Sequence, residues 1–381
     1  MKIAIFTDSF YPQVNGVVTS ILNSSGLLAE NGHKIMIFTV KSNKKPKLHN
    51  NIVVKYFPSI PLITYTDYKI SSPNFLITLH YLKRFNPDLI HIHTPFSMGI
   101  NGILASKYLK LPLIGTYHTY IPEFLKYLPI PYVRQKNITK KFAKVYSRKI
   151  YNKCNLVLTP SFAMKKELIK TGVTKPISVL SNGIALDKFS CKAPLSEDSF
   201  NMVHFGRISF EKNIDLILDA FKIVLENLPY CKLTIVGKGP ALKSLIQKAK
   251  SLQIEKNKIQ FTGYVSEDKL HNILCSSDLF VTASPIETQG LVIMEAMAVG
   301  LPVIGPNSLA IPEAIKHGKN GFVFQNHNVS QFAEQILSIL KNQNLKKTFG
   351  ENSRKYVSKY DLKLVVKKLE EIYHSITKGD I

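Results

Sequence analysis

The sequence predicts an α/β protein made of two Rossmann-like, doubly wound units in series. Three observations carry this expectation. Short apolar runs bounded by Gly or Pro alternate with helical patterns along most of the chain. The alternation breaks once, at Cys191–Asp198, where Pro, Ser and charge concentrate, and then restarts. The 381 residues, 45% of them hydrophobic, suffice for two cores of ordinary domain size.

The first series begins with the apolar run in Lys2–Thr7, which reads as a buried strand. Gly16–Asn31 reads as a helix closed by Gly32, and Lys34–Val40 as the next strand. Asp88–His93, Leu113–Tyr117, Asn155–Thr159 and Ile177–Leu180 continue the strands. After the break, Asn201–Phe205 is a strand, Ile214–Leu228 a helix, and Cys231–Val236 a strand ending in the tight turn Gly237-Lys238-Gly239-Pro240. Leu242–Leu252 and Lys269–Ser276 are helices flanking the strand Ile259–Thr262, and Leu279–Thr282 and Pro302–Ile304 are strands. Asp361–Ser375 is a Lys-rich amphipathic helix. The domains expected are therefore 1–192 and 193–381. In such sheets ligands bind beyond the carboxyl ends of the strands, and Gly16, His118 and Asn182 all fall just past such ends.

Charge and cysteine content narrow the classes. Lys and Arg number 50 against 26 Asp and Glu, a net charge of +24. Such a field attracts polyanions, either nucleic acid or an anionic membrane surface, although Lys- and Asn-rich genome composition is an alternative source. The basic residues are spread over many segments and form no recognised nucleic-acid module, so no nucleic-acid partner is expected. The 4 cysteines, Cys154, Cys191, Cys231 and Cys275, are scattered without metal-ligand spacing. They imply a reducing compartment, no disulfide framework and no metal ligation. No apolar run reaches the length of a spanning helix or a signal segment, so the expected location is cytoplasmic.

The most informative stretch is Pro285–Ile304. It sets two carboxylates, Glu287 and Glu295, on either side of Gly290, where a helix should begin. Gly290 allows close backbone approach, and the amides of Leu291 and Val292 open a helix N-terminus suited to phosphate. A plain strand–turn–helix, with Glu287 at a cap and Glu295 solvated, stays open on these residues alone.

That stretch resembles the Glu-x7-Glu signature of the retaining, nucleotide-sugar-dependent glycosyltransferases of group 1 and family 4. Ile3–Val18 resembles that family's first strand and glycine loop, and Gly115-Thr116-Tyr117-His118-Thr119 its histidine strand. Asn182–Phe189 is similar to the end of its first domain, and Phe205-Gly206-Arg207 with Lys212-Asn213 to its phosphate-binding pair. The resemblance runs from about residue 1 to 325 in the expected order. It implies the GT-B fold, two Rossmann-like doubly wound domains facing a cleft, with a final helix at about 361–375 crossing back to the first domain.

The resemblance also implies site roles. Gly16, Arg207, Lys212, Glu287, Gly290, Leu291, Val292 and Glu295 would bind the nucleotide sugar, with Glu287 near the donor sugar and Glu295 on the ribose hydroxyls. His118, Arg207, Lys212 and Glu287 would act in catalysis. His118 would hydrogen-bond the donor sugar, with a packed structural histidine as the alternative; His91 and His93 are given structural roles. Two fixed cations can stabilise the charge that develops on a departing pyrophosphate. With them in place, and no Asp-x-Asp motif near a strand end, no metal and no cofactor are expected.

The stretch after His118 is aromatic and aliphatic, then basic. Lys126, Arg134, Lys136, Lys140, Lys141, Lys144, Arg148, Lys149 and Lys153 follow one another, many at three- and four-residue spacing. That composition suits a helix lying on an anionic membrane, with an ordinary amphipathic surface helix as the alternative. The region is similar to that of the diacylglycerol glucosyltransferases. The expected function is transfer of a hexose, glucose first, from a UDP-sugar to a membrane lipid such as diacylglycerol, with retention, by a peripheral enzyme on the cytoplasmic face. A GDP-mannose-dependent phosphatidylinositol-type enzyme and a soluble-acceptor enzyme are the alternatives.

Overall fold

Runs of Ile, Val, Leu and Phe become two parallel sheets, each wrapped by helices whose apolar faces cover it. The computed structural model describes residues 1–62, 65–71, 74–118, 120, 136–191 and 200–380. It divides into two units, Met1–Gly183 with Leu362–Ile381, and Ile184–Asp361.

The first unit holds strands β1 (Lys2–Thr7), β2 (Lys34–Val40), β3 (Ile52–Phe57), β6 (Leu89–Ile92), β7 (Leu113–Thr116), β8 (Leu156–Thr159) and β9 (Ile177–Val179). They lie in the order β3-β2-β1-β6-β7-β8-β9, all parallel. A separate antiparallel pair joins β4 (Ser59–Leu62) to β5 (Tyr65–Ser71). Its helices are α1 (Gly16–Glu30), α2 (Phe75–Phe85), α3 (Ser97–Leu109), α4 (Lys136–Tyr151) and α5 (Phe162–Thr171). Ile3, Ile5, Ile35, Ile37, Leu89, Ile114 and Leu156 fill the core beneath α1.

The last helix, α13 (Leu362–Lys378), belongs to this unit. Its Val366, Leu369, Tyr373 and Ile376 recur at helical spacing and enter the same core. Glu370 accepts a hydrogen bond from Asn31 Nδ2 at 2.9 Å and lies 3.0 Å from His33 Nε2.

The second unit repeats the design with β10 (Asn201–Phe205), β11 (Lys232–Val236), β12 (Ile259–Gly263), β13 (Leu279–Val281), β14 (Val303–Pro306) and β15 (Gly321–Phe324). The order is β12-β11-β10-β13-β14-β15, again all parallel. Helices α6 (Ile214–Asn227), α7 (Leu242–Ser251), α8 (Glu267–Cys275), α9 (Leu291–Ala298), α10 (Ile311–Ala314), α11 (Val329–Leu340) and α12 (Gln343–Val357) cover the sheet. Ile214, Ile217, Leu218, Phe221 and Val224 form the buried stripe of α6.

Two expectations are corrected. The chain passes from one unit to the other at Gly183/Ile184, ahead of the expected 192/193, which falls at residues outside the described ones. Ile184 is buried in the second core and donates its amide to the Tyr360 carbonyl at 2.9 Å. Gly183, at φ +74°, sits so close to α13 that a Cβ there would lie 2.8 Å from Leu362 Cδ1. The expectation of no disulfide also fails, because Cys191 and Cys275 are bonded to each other. They are 84 residues apart in sequence, and only the fold brings them together. Cys154 and Cys231 are free and buried.

Candidate functional site

In each sheet the strand order reverses beside the first strand of the unit, and at that seam the crossovers leave a crevice at the carboxyl ends. In the second unit the seam lies between β10 and β13, which pair Met202 with Leu279 and Val203 with Phe280. The chain leaves β10 through Gly206, at φ +133°, and reaches Arg207. A 3-10 turn over Phe210–Lys212 ends in Asn213, whose φ of 49° starts α6 in a new direction. Lys212 Nζ then lies 2.5 Å from Glu287 Oε1, on the segment that leaves β13. The seam thus brings together Lys212 and Glu287, 75 residues apart in sequence.

A second glycine pair braces this loop. The sequence suggests only a tight turn at Gly237–Pro240. In the structure a Cβ on Gly237 would stand 1.8 Å from the Gly206 carbonyl oxygen, and one on Gly239 2.0 Å from that of Ile208. Ile208 donates its amide to Lys238 O at 3.0 Å. The backbone beyond β11 therefore packs directly on the backbone that carries Arg207, which only glycines permit.

Electrostatics separate the two glutamates. Partial burial pushes the Glu287 carboxyl up, but Lys212 outweighs it and holds the group below the usual carboxylate range. Glu295 is pushed up to about 7, first by burial and then by the negative charge of Glu267. Burial also lowers the Arg207 guanidinium, opposed by Glu211, and a guanidinium stays charged at neutral pH regardless. His204 was not singled out by the sequence. Its Nδ1 lies 2.9 Å from the Val281 carbonyl, and burial lowers it to about 4, so it is a neutral donor between the two central strands.

Gly290, at φ +80°, turns the chain into α9 and, as its N-cap residue, brings no side chain of its own to the helix start. Its carbonyl accepts from Ile293 and Met294 at 2.9 and 3.2 Å. A glycine-led N-terminus of this kind, with the amides of Leu291 and Val292 in its first turn, suits an anion. With Arg207 and Lys212 on the neighbouring loop, the unit can hold a diphosphate. Glu295, one helical turn farther along α9, can accept hydroxyl hydrogen bonds.

In the first unit the corresponding seam lies between β1 and β6. There Asp8 is buried and fully engaged: Thr94 Oγ1 donates to it at 2.6 Å, the Met98 amide at 2.9 Å, and Ser97 Oγ donates as well. Burial raises its carboxyl despite these bonds. Gly16 opens α1, but the helix is capped: Asn15 Oδ1 accepts from the amides of Val17 at 3.0 Å and Val18 at 3.1 Å. Those amides are committed to Asn15.

His118 lies just past β7 and is buried. Its Nε2 is 2.9 Å from His93 Nδ1, and the two rings stack. His91 is held on both sides, by Tyr373 Oη of α13 at Nδ1 and Thr116 Oγ1 at Nε2, each 2.7 Å away. Burial lowers His118 to about 4, partly offset by Asn182, and His91 to about 3, with His118 adding repulsion. All three imidazoles are therefore neutral near pH 7, each with a donor and an acceptor nitrogen. The two-residue spacing of His91 with His93, and of Thr116 with His118, puts each pair on one face of its strand. That period is the sequence signal for the cluster; Tyr373 has none.

Of the basic residues expected at a membrane, Lys126 and Arg134 lie outside the described residues. Lys140 lies in α4. Lys141, Lys144 and Arg148 are exposed on α4, while its Ala143, Ser147, Ile150 and Tyr151 are buried. Phe142 is exposed and stacks on Tyr146, whose hydroxyl donates to Pro95 O at 2.5 Å. The Arg148 stem crosses Gly172, where a Cβ would meet its Cδ at 3.0 Å. No helix among the described residues is long and apolar enough to cross a membrane.

Comparison with known proteins follows the same division. Residues 14–188 match the family described as Glycosyltransferase Family 4, and residues 187–356 match Glycosyl transferases group 1. The chain is 32% identical over 317 residues to the alpha-monoglucosyldiacylglycerol synthase of Streptococcus pneumoniae, spanning 80% of this chain and 70% of that protein. It is 26% identical over 395 residues to the Acholeplasma laidlawii protein of the same name, spanning 98% and 96%. Anabaena HepE, solved in complex with UDP and glucose, superposes with a TM-score of 0.78 at 20% identity, spanning 98% of this chain and 100% of HepE.

Proposed function

The chain belongs to the glycosyltransferases of group 1 and family 4, and from that premise we propose that it transfers glucose from UDP-glucose to diacylglycerol or a closely related membrane lipid, with retention of anomeric configuration. The observation that carries the donor half is the seam of the second unit. Arg207 and the Lys212–Glu287 pair stand there beside the glycine-led N-terminus of α9. The diphosphate of a nucleotide sugar is met by two cations and by helix amides, both of which strengthen their hold as the leaving group gains charge. Glu295 receives the ribose hydroxyls, and Glu287 lies near the sugar.

Residues of the chain thus do what a divalent ion does in other sugar transferases, and the reaction needs no resident metal. The acceptor half rests on the two glucosyldiacylglycerol synthases and on the exposed cations of α4, which suit a peripheral enzyme on an anionic cytoplasmic leaflet. The decisive experiment incubates the enzyme with radiolabelled UDP-glucose, UDP-galactose or GDP-mannose, each with diacylglycerol or phosphatidylinositol in mixed vesicles. Label from UDP-glucose should enter a diacylglycerol product whose anomeric proton shows the α configuration. Transfer only from GDP-mannose, or only to water-soluble acceptors, would replace this reading.

A further inference from the structure

The bonded cysteines have a third neighbour. His271 and Cys275 lie four residues apart in α8, so both side chains leave the same helical face. Cys275 Sγ is 3.6 Å from His271 Nε2, and Cys191 Sγ is bonded to Cys275 Sγ. The three ligand atoms all lie within 4.8 Å of one another. Each residue is partly buried, and both cysteines pack with Phe189, Ile273, Leu291 and Val292 against one apolar cluster.

We propose that in the reduced protein Cys191, His271 and Cys275 form a three-ligand site for a soft divalent cation of the zinc–cadmium class, and that the disulfide is the oxidised, metal-free form of that site. Two thiolates and an imidazole are a soft donor set that tetrahedral zinc accepts, leaving a fourth position for water. Zinc bonds to sulfur at about 2.3 Å and to nitrogen at about 2.0 Å, so tetrahedral sulfur and nitrogen ligands sit about 3.5 Å apart. The 3.6 Å between Cys275 Sγ and His271 Nε2 already meets that spacing without movement of α8. Cys191 comes from a different part of the chain and separates from Cys275 by side-chain rotation. Two thiolates balance the charge of a divalent ion, which suits a partly buried place. The scattered positions of the cysteines hid this cluster from the sequence, because one ligand is contributed by the fold.

The chemistry balances with a dithiol as reductant. The disulfide takes up two electrons and two protons from the dithiol, which closes to its own cyclic disulfide. The cation then displaces both thiol protons, and His271 binds through the lone pair of its neutral ring. The remaining cysteines are poor competitors: burial pushes the thiols of Cys154 and Cys231 up to about 12.

The test uses the whole chain. Protein reduced with dithiothreitol and desalted without air is titrated with cadmium chloride, and the thiolate-to-cadmium charge-transfer band is followed. Zinc is then measured by competition with a chromogenic chelator. The expected result is a single equivalent bound by the reduced protein and none by diamide-oxidised protein, a comparison that needs no substitution. Cys191→Ser and Cys275→Ser should each remove the band, and His271→Asn should weaken binding by roughly tenfold or more. Cys154→Ser with Cys231→Ser should leave it intact. No band in the reduced wild type, an equal band in Cys191→Ser, or undiminished affinity in His271→Asn would each overturn the assignment.

Discussion

Lys212 Nζ lies 2.5 Å from Glu287 Oε1 and ties the segment beyond β10 to the segment beyond β13, across the seam of the second sheet. The pair is partly exposed on both sides, so its worth to stability is small, about 1 kcal/mol or less. Its worth to catalysis should be much larger, because in the proposed reaction the donor diphosphate would draw on the same ammonium. Lys212→Ala and Arg207→Ala should each lower turnover by about a hundredfold or more. Melting temperature should move little. Steady-state kinetics beside thermal unfolding decide the matter; two folded variants with near-normal turnover would place the donor elsewhere.

The proposed absence of a resident catalytic metal has a direct check. Transfer in excess EDTA should proceed at close to the untreated rate if Arg207, Lys212 and the α9 amides supply the positive charge as proposed. Any metal at Cys191, His271 and Cys275 would be stripped in the same experiment. Retained activity would therefore also separate that site from the chemistry. Complete loss, restored by magnesium, would reject the metal-free reading.

The strands were the legible part of this fold. Lys2–Thr7, Lys34–Val40 and Asn201–Phe205 occur where the apolar runs predict them, because a strand buried on both faces leaves an unbroken apolar signature. β3, β4, β5 and α2 left no such mark. Tyr65–Ser71 carries Asp67 and Lys69, and polar residues on a small two-stranded element erase the period. At the candidate site, Arg207, Lys212, Glu287 and Gly290 were singled out through the resemblance, at places where strand ends and helix starts punctuate the sequence, and the fold brings Lys212 and Glu287 together. The bond from Tyr373 to His91 was not, since it spans 282 residues and depends on where α13 docks. The Cys191–Cys275 bond was hidden because its two cysteines lie 84 residues apart and only the folding of the second unit joins them.

The buried histidines predict an acid limit. His91, His118 and His204 have folded pKa values of about 3, 4 and 4, against an ordinary 6.5. The unfolded chain binds more protons below pH 6.5, so stability is present above that value and is lost as pH falls toward 4. Urea midpoints measured from pH 7.5 to 4.5 should fall steadily below about pH 6.5. Tyr373→Phe removes one polar partner of His91 and should cost about 1–3 kcal/mol at neutral pH. A flat profile across this range would mean that the three rings are not held neutral.

The exposed cations of α4 are the proposed membrane contact, and the argument is one of magnitude. Each Lys or Arg near an anionic surface contributes about 1 kcal/mol, falling off within a Debye length of about 10 Å at 0.1 M salt. Replacing Lys140, Lys141, Lys144 and Arg148 together with Gln thus removes up to about 4 kcal/mol, enough to lower vesicle partitioning by tenfold or more even after screening. Co-sedimentation with phosphatidylglycerol-containing vesicles at one fixed ionic strength measures this, with phosphatidylcholine vesicles as the uncharged control. Transfer to a short-chain, dispersed acceptor should survive, because the proposed donor residues lie in the second unit and α4 in the first. The Arg148 stem also packs over Gly172, so a Lys140, Lys141 and Lys144 triple variant separates lost charge from lost packing. If the triple and quadruple variants both bind anionic vesicles like the wild type, the contact lies on another face and the net charge of +24 has a different cause.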